Sequence, residues 1–146
     1  EMLRSLVGSE MCIRDRYHLC RSYSHQIPSA SLTGSQRDLQ RVTHVMNWVK
    51  VHYPEPLSLE TAADSLALSK EYFCRLFKKY TGQTFLEYLN DVRTMHLYED
   101  LQNSDETITV LMEKNGLSNY KIFMRTFKKL YGSTPQKMRS NRIRHV

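Results

Sequence analysis

The sequence predicts an all-α fold of about seven helices, in which a helix–turn–helix unit occurs twice and a long central helix joins the copies. Three observations predict it. A segment near the middle of the chain recurs 50 residues later. Apolar residues from Leu39 onward fall at helical spacing and are bracketed by capping residues. No stretch alternates apolar and polar residues in the manner of a half-buried strand.

The repeat is the strongest of the three. Phe73–Thr84 (FCRLFKKYTGQT) and Phe123–Thr134 (FMRTFKKLYGST) agree at seven of twelve positions: Phe73/Phe123, Arg75/Arg125, Phe77/Phe127, Lys78/Lys128, Lys79/Lys129, Gly82/Gly132 and Thr84/Thr134. Upstream the offset becomes 49, pairing Leu59 with Ile108, Ala62 with Leu111, Leu68 with Leu117 and Ser69 with Ser118. The second copy is therefore expected to carry one extra residue early in its last helix. Two copies are too few for a solenoid, which leaves a supersecondary unit duplicated inside one domain.

Taken in order, Ser35-Gln36-Arg37-Asp38 has capping-box spacing, with Asp in place of Glu, ahead of Leu39, Val42, Met46 and Val49 on one helical face. The first unit is placed at 58–80. Ser58 caps a helix through Leu66, Ala67-Leu68 forms the turn, and Ser69 caps a second helix that runs to Tyr80 and stops at Gly82. Thr84-Phe85-Leu86-Glu87 is a capping box opening the long helix, with Phe85, Leu89, Val92, Met95 and Leu101 apolar. The second unit is placed at 107–131. Thr107 starts its first helix, which ends near Asn115-Gly116; Ser118 or Asn119 caps the next, which runs to Tyr131 and ends at Gly132. Thr134-Pro135 places an N-cap and a proline at the start of a short last helix.

Two segments precede this domain, which is placed at 37–146. Residues 1–16 contain SLVGSEMCIRD, which resembles the translation of a sequencing adapter and is expected to be non-native. Residues 17–36, with Pro28, Gly34 and several serines, read as a linker.

Charge narrows the class of partner. The net charge is +6, which favours an anionic partner, nucleic acid first. Of the 17 Lys and Arg from Arg37 onward, four lie in each second helix of the two units and four in Lys137–Arg144. On the helix from Ser69, Phe73, Leu76, Phe77 and Tyr80 form an apolar face, while Glu71, Cys74, Arg75 and Lys78 form another at the same spacing. The second copy sets Phe123, Phe127 and Leu130 against Lys121, Met124, Arg125 and Lys128. The four phenylalanines are therefore expected in the core rather than as a base-stacking platform. The outward stripes are the candidates to enter a major groove, with Arg75 and Arg125 suited to guanine, Glu71 to cytosine and Met124 to a thymine methyl. Ser69, Lys70, Lys78, Lys79, Ser118, Lys128, Lys129, Lys137 and Arg139 are the candidates for phosphate contact, through charge or through helix N-termini.

Other chemistry finds no support. Cys12, Cys20 and Cys74 make no CxxC pair, an odd, scattered set that suits a reducing cytoplasm. The histidines lack metal-ligand spacing, and there is no Gly-rich phosphate loop or GxSxG. No catalytic residue, metal or cofactor is expected. Neither is a membrane span, because no run of about 18 apolar residues occurs.

The segments LSLETAADSLALSKEYFCRLFKKYTGQTFLEYLNDVR (57–93) and ITVLMEKNGLSNYKIFMRTFKKLYGSTPQKMR (108–139) resemble the AraC/XylS family of bacterial transcription regulators. The likeness covers about a hundred residues, the extent of that family's DNA-binding domain. It implies seven helices, double-stranded DNA as partner and sequence-specific regulation of transcription, activation included. RNA polymerase is a further candidate partner, and an effector is expected to bind a separate upstream domain that also dimerises. The family's base-contacting positions fall on Glu71, Cys74 and Arg75, and on Tyr120, Met124 and Arg125, with Lys121 and Ile122 beside them. The second unit departs from the family pattern at Met112, where a small Ala is usual, and at Asn115, where an apolar residue is usual; Leu97 also stands at a position often taken by Ala. A protein-interaction module with degenerate DNA contacts is the second reading of such a chain.

Overall fold

The computed structural model describes residues 34–144, with side chains to residue 140. The expected adapter segment lies outside the described residues, as does the expected linker except for its last three positions. Seven helices make up the described residues: α1 (Gly34–His52), α2 (Leu59–Asp64), α3 (Lys70–Thr81), α4 (Phe85–Asn103), α5 (Ile108–Lys114), α6 (Tyr120–Tyr131) and α7 (Pro135–Arg144). α2–turn–α3 and α5–turn–α6 are the two helix–turn–helix units, and α4 connects them.

Local chemistry sets most boundaries. Ser58, Ser69, Thr84 and Thr107 each adopt extended backbone and accept a hydrogen bond from the main chain three residues on, which satisfies an amide that the first helical turn leaves without a partner. Thr84 and Glu87 form the reciprocal box, with the Thr84 amide donating to Glu87 Oε2 at 2.8 Å, and these bonds hold the Glu87 carboxyl below the usual range. α3 and α6 both end on a left-handed glycine, Gly82 (φ 77°) and Gly132 (φ 68°). In α1 the expected start is moved. The helix already includes Gly34 and Ser35, because the Tyr80 hydroxyl donates to the Ser35 carbonyl at 3.1 Å and holds that first turn on α3.

The apolar residues gather in two cores. Val42, Val45, Val49, Ala62, Ala63, Phe73, Leu76, Phe77, Phe85, Leu89 and Val92 form the first; Leu97, Leu101, Leu111, Met112, Leu117, Phe123 and Phe127 form the second. α4 spans both, its first half closing one core and its second half the other. Phe73, Phe77, Phe123 and Phe127 are all fully buried; each contributes roughly 1.5–3 kcal/mol relative to exposure. They are packing residues and offer no surface for stacking bases. The buried face of α1 is rotated from the expected one: Val45 is in the core, and Leu39 is exposed.

The two turns follow one design. In each, a left-handed residue (Ala67, φ 53°; Gly116, φ 74°) is followed by a leucine whose amide reaches back five residues, Leu68 to the Ala63 carbonyl and Leu117 to that of Met112. The extra residue of the second copy sits just beyond this point. Asn119, not Ser118, is the N-cap of α6, its Oδ1 accepting from the Ile122 amide at 3.0 Å. Ser118 is therefore the inserted residue, lying in the turn and not inside the helix.

Both departures in the second unit are accommodated. Met112 and Leu97 share the second core, so the larger side chains fill volume there. Asn115 is 1 % exposed, and its Nδ2 donates to Asp100 Oδ2 (2.8 Å) and to the Leu111 carbonyl (2.9 Å), which meets the requirement of a buried amide. The link to Asp100 ties the end of α5 to α4.

An arginine clamps the loop ahead of each unit. Arg93 on α4 donates from Nε to the Tyr53 carbonyl and from its terminal nitrogen to the Glu55 carbonyl, both at 2.6 Å. Arg139 on α7 donates to the Glu106 carbonyl at 2.6 Å. The Tyr53 ring also stacks on His96 of α4, centroids 4.0 Å apart. His96, near Glu99 at 3.5 Å, is thus part of the packing between the α1–α2 loop and the long helix.

Candidate nucleic-acid interface

The second helices of the two units, α3 and α6, present matching surfaces. Their buried edges are Phe73, Leu76 and Phe77 in one, and Phe123, Thr126 and Phe127 in the other. Helical geometry then turns the residues between them outward. Glu71, Cys74, Arg75, Lys78 and Lys79 on α3, and Tyr120, Lys121, Arg125, Lys128 and Lys129 on α6, are exposed. Counted from the caps Ser69 and Asn119, Arg75 and Arg125 occupy the same position, as do Lys78 and Lys128. The α6 face carries no acidic residue. Leu130, expected in the core, is only half-buried.

Met124 differs from its counterpart. Cys74 is exposed, whereas Met124 is half-buried and packs against the second core. Part of its side chain packs on that core, and the remainder faces outward with the rest of the stripe. Ile122, beside it, is also half-buried.

The structure sorts the expected phosphate contacts by what else they hold. Lys70 Nζ lies 2.6 Å from Glu60 Oε1, an exposed pair that links α3 to α2. Lys129 Nζ lies 3.6 Å from Asp91 Oδ2, and Arg139 is spent on the Glu106 carbonyl. Ser69 uses its hydroxyl oxygen to accept from the Tyr72 amide at 3.3 Å, and Ser118 stands outside the cap. Among the described residues, Arg75, Lys78, Lys79, Lys121, Arg125, Lys128 and Lys137 make no ion pair within 4 Å, and all are exposed. These cations are open to a polyanion without the breaking of an ion pair, although Glu87 lies near enough to Lys78 to feel its charge and Arg125 shares a cleft with Glu87 and Asp91.

Asp91 is the buried carboxylate of this region, at 3 % exposure. It sits under α6, in a cleft lined by Glu87, Asn90, Ile122, Arg125, Thr126 and Lys129. Burial pushes its pKa above the usual carboxylate range, opposed by the Lys129 ammonium and by a hydrogen bond from Gln83. A carboxyl with a raised folded-state pKa binds protons more readily when folded, so its contribution to stability is greatest at low pH and is lost as pH rises through the folded value. Asp91→Asn is therefore expected to raise the melting temperature by a few degrees at neutral pH, a gain that fades toward pH 4. Thermal denaturation at the two pH values checks this; a loss at neutral pH would show that the Lys129 pair outweighs the burial cost.

These links join residues far apart in the chain, and sequence spacing gives no sign of most of them. Arg93 falls within the Tyr88-Leu89-x-x-x-Arg93 run that carries the family likeness, but its acceptors lie 40 and 38 residues upstream.

A pair of helix–turn–helix units on one spine, with two outward cationic faces, defines a DNA-binding module of the bihelical class. The family described as Helix-turn-helix domain matches residues 62–141. The chain belongs to this family, of the AraC type, which consists of DNA-binding transcriptional regulators rather than enzymes. Among curated proteins it is similar to an uncharacterized HTH-type transcriptional regulator of Staphylococcus aureus, 33% identical over 102 residues, or 70% of this chain and 14% of that protein. It is also similar to the HTH-type transcriptional activator RhaS of Escherichia fergusonii, 31% identical over 111 residues, covering 76% of this chain and 40% of RhaS. The chain thus spans well under half the length of these relatives. Among solved structures it is similar to the DNA-binding domain of AdpA, a global transcriptional factor, in complex with a target DNA, with TM-score 0.62 and 25% identity over 69% of this chain and 91% of that one.

Proposed function

We propose that the domain binds double-stranded DNA sequence-specifically and regulates transcription, with α3 and α6 each reading one of two adjacent major-groove boxes. The observation that carries this reading is the duplicated outward face, with Arg75 and Arg125 at the same distance from their helix caps and the opposite edges anchored in separate cores. Arg75 and Arg125 read guanine, and Glu71, Cys74, Tyr120 and Lys121 complete the base-facing set, with Met124 a marginal member. Lys78, Lys79, Lys128 and Lys137 neutralise phosphates; Lys70 and Lys129 join them only by leaving their carboxylates. An exposed pair such as Lys70–Glu60 is worth little, so a phosphate displaces it readily. The AdpA complex supports DNA as the partner. RhaS, an activator, supports an activating role; RNA polymerase is the second partner such a role calls for. The relatives are longer than this chain, which is compatible with an effector-binding and dimerising part elsewhere in the full protein. Such a regulator works in the bacterial cytoplasm; no helix among the described residues is long and apolar enough to cross a membrane.

The test is the salt dependence of binding to a random duplex by fluorescence anisotropy. Each neutralised phosphate contributes about −0.9 to the slope of log K against log salt, and the unpaired cations of the two faces and α7 set an expected slope of roughly −4 to −7. A slope near zero would contradict the reading and favour a protein-interaction module.

A further inference from the structure

The two reading faces carry opposite charge at one matched position. Glu71 lies two residues beyond the cap Ser69, and Lys121 lies two residues beyond the cap Asn119. Both are exposed. Each lies one helical turn before its arginine, so each shares that arginine's outward edge. First-turn residues of a recognition helix are those that reach base edges. At this position Glu71 can only accept hydrogen bonds, and Lys121 can only donate them. The major-groove edge of cytosine offers a donor at N4, and that of guanine offers acceptors at O6 and N7.

We infer that the two boxes differ at this step, with cytosine facing Glu71 in the first and guanine, on the same strand, facing Lys121 in the second. This rests on the proposed reading of two boxes by α3 and α6. Several observations favour a base role for this pair over a role in folding. Neither residue caps its helix, and neither lines a core. Among the described residues neither is in an ion pair. The neighbouring Lys70, by contrast, is held by Glu60 at 2.6 Å. A lysine in the first turn of α6 also runs against the helix dipole, which favours carboxylates there; its place is explained by an acceptor on the ligand. Tyr120, at the position of Lys70 counted from the cap, is 53% exposed, so the two helices differ at their first residue as well.

Selection of random duplexes by the full chain, read by sequencing, tests the inference with two variants. The wild type is expected to enrich cytosine in one box and guanine in the other at the matched step, each by roughly tenfold over the other bases. The double variant Glu71→Lys/Lys121→Glu is expected to exchange the two preferences and leave the arginine-read guanines in place. The milder Glu71→Gln is expected to move the first-box preference from cytosine to adenine and leave the second box unchanged. The same base in both boxes, or wild-type preferences retained in both variants, would overturn the inference and leave the two-box reading standing. Failure of the wild type to enrich any motif would overturn both.

Discussion

Gly116→Ala is expected to cost about 3 kcal/mol or more of folding stability, against about 1 kcal/mol for Gly82→Ala or Gly132→Ala. All three glycines have positive φ, so each alanine bears the left-handed strain. The difference lies in the surroundings. A Cβ at Gly116 falls 2.7 Å from the Pro54 carbonyl oxygen and 3.1 Å from Arg93 Nε, whereas Gly82 and Gly132 have nothing within 4 Å. Ala67 holds the equivalent left-handed place in the first turn with its own Cβ, so φ alone does not demand glycine. The contact does, because the second turn lies directly on the loop that Arg93 clamps. Relief requires moving that loop, Arg93 or the α5–α6 unit itself. Chemical denaturation of the three variants measures the effect; equal losses would show that the Gly116 contact yields without cost. The same variant is also expected to weaken binding at the second box more than at the first, since the Gly116 turn is the one that sets α6.

Arg75→Ala combined with Arg125→Ala is expected to weaken a specific site by about 2–6 kcal/mol, roughly 1–3 for each lost pairing with guanine. A random duplex loses only the share of two cations in counterion release, and its salt slope drops by about 2. Both arginines are exposed, so truncation leaves the cores untouched. Anisotropy titrations on an enriched site and on a scrambled duplex give the comparison. Equal loss on both would make these arginines phosphate contacts rather than readers of bases.

What the sequence reveals here is what short-range physics determines. Ser58, Ser69, Thr84 and Thr107 announce helices because an N-cap involves only the next three residues. Gly82 and Gly132 announce stops because the left-handed region favours glycine. The outward stripe of α3 is legible because its apolar edge, Phe73, Leu76 and Phe77, is clean. α4 is harder to read. It is packed from several sides, so Asp91 and Thr94 are buried beside Leu89 and Val92, and periodicity loses its meaning. In α1 an unbroken choice among Leu39, Val42, Val45 and Val49 leaves the face open by one step, and packing against α3 and α4 resolves it toward Val45. Position 118 is ambiguous in the sequence because Ser and Asn are equally good caps; only the bond from the Ile122 amide to Asn119 decides it. The commitments of Lys70, Lys129 and Arg139 depend on Glu60, Asp91 and Glu106, which the fold brings from 10 to 38 positions away. For the same reason Asn115, which departs from the family pattern, finds Asp100 and becomes a brace rather than a defect.

The central claim is that two helices of one chain read two boxes. Selection of random duplexes by the full chain at near-physiological salt tests it most directly. The account predicts enrichment of a bipartite motif, two short boxes centred about one helical turn (~34 Å) apart on one face of the duplex. Enrichment of a single box, or of no motif by a chain shown to be helical, would contradict it.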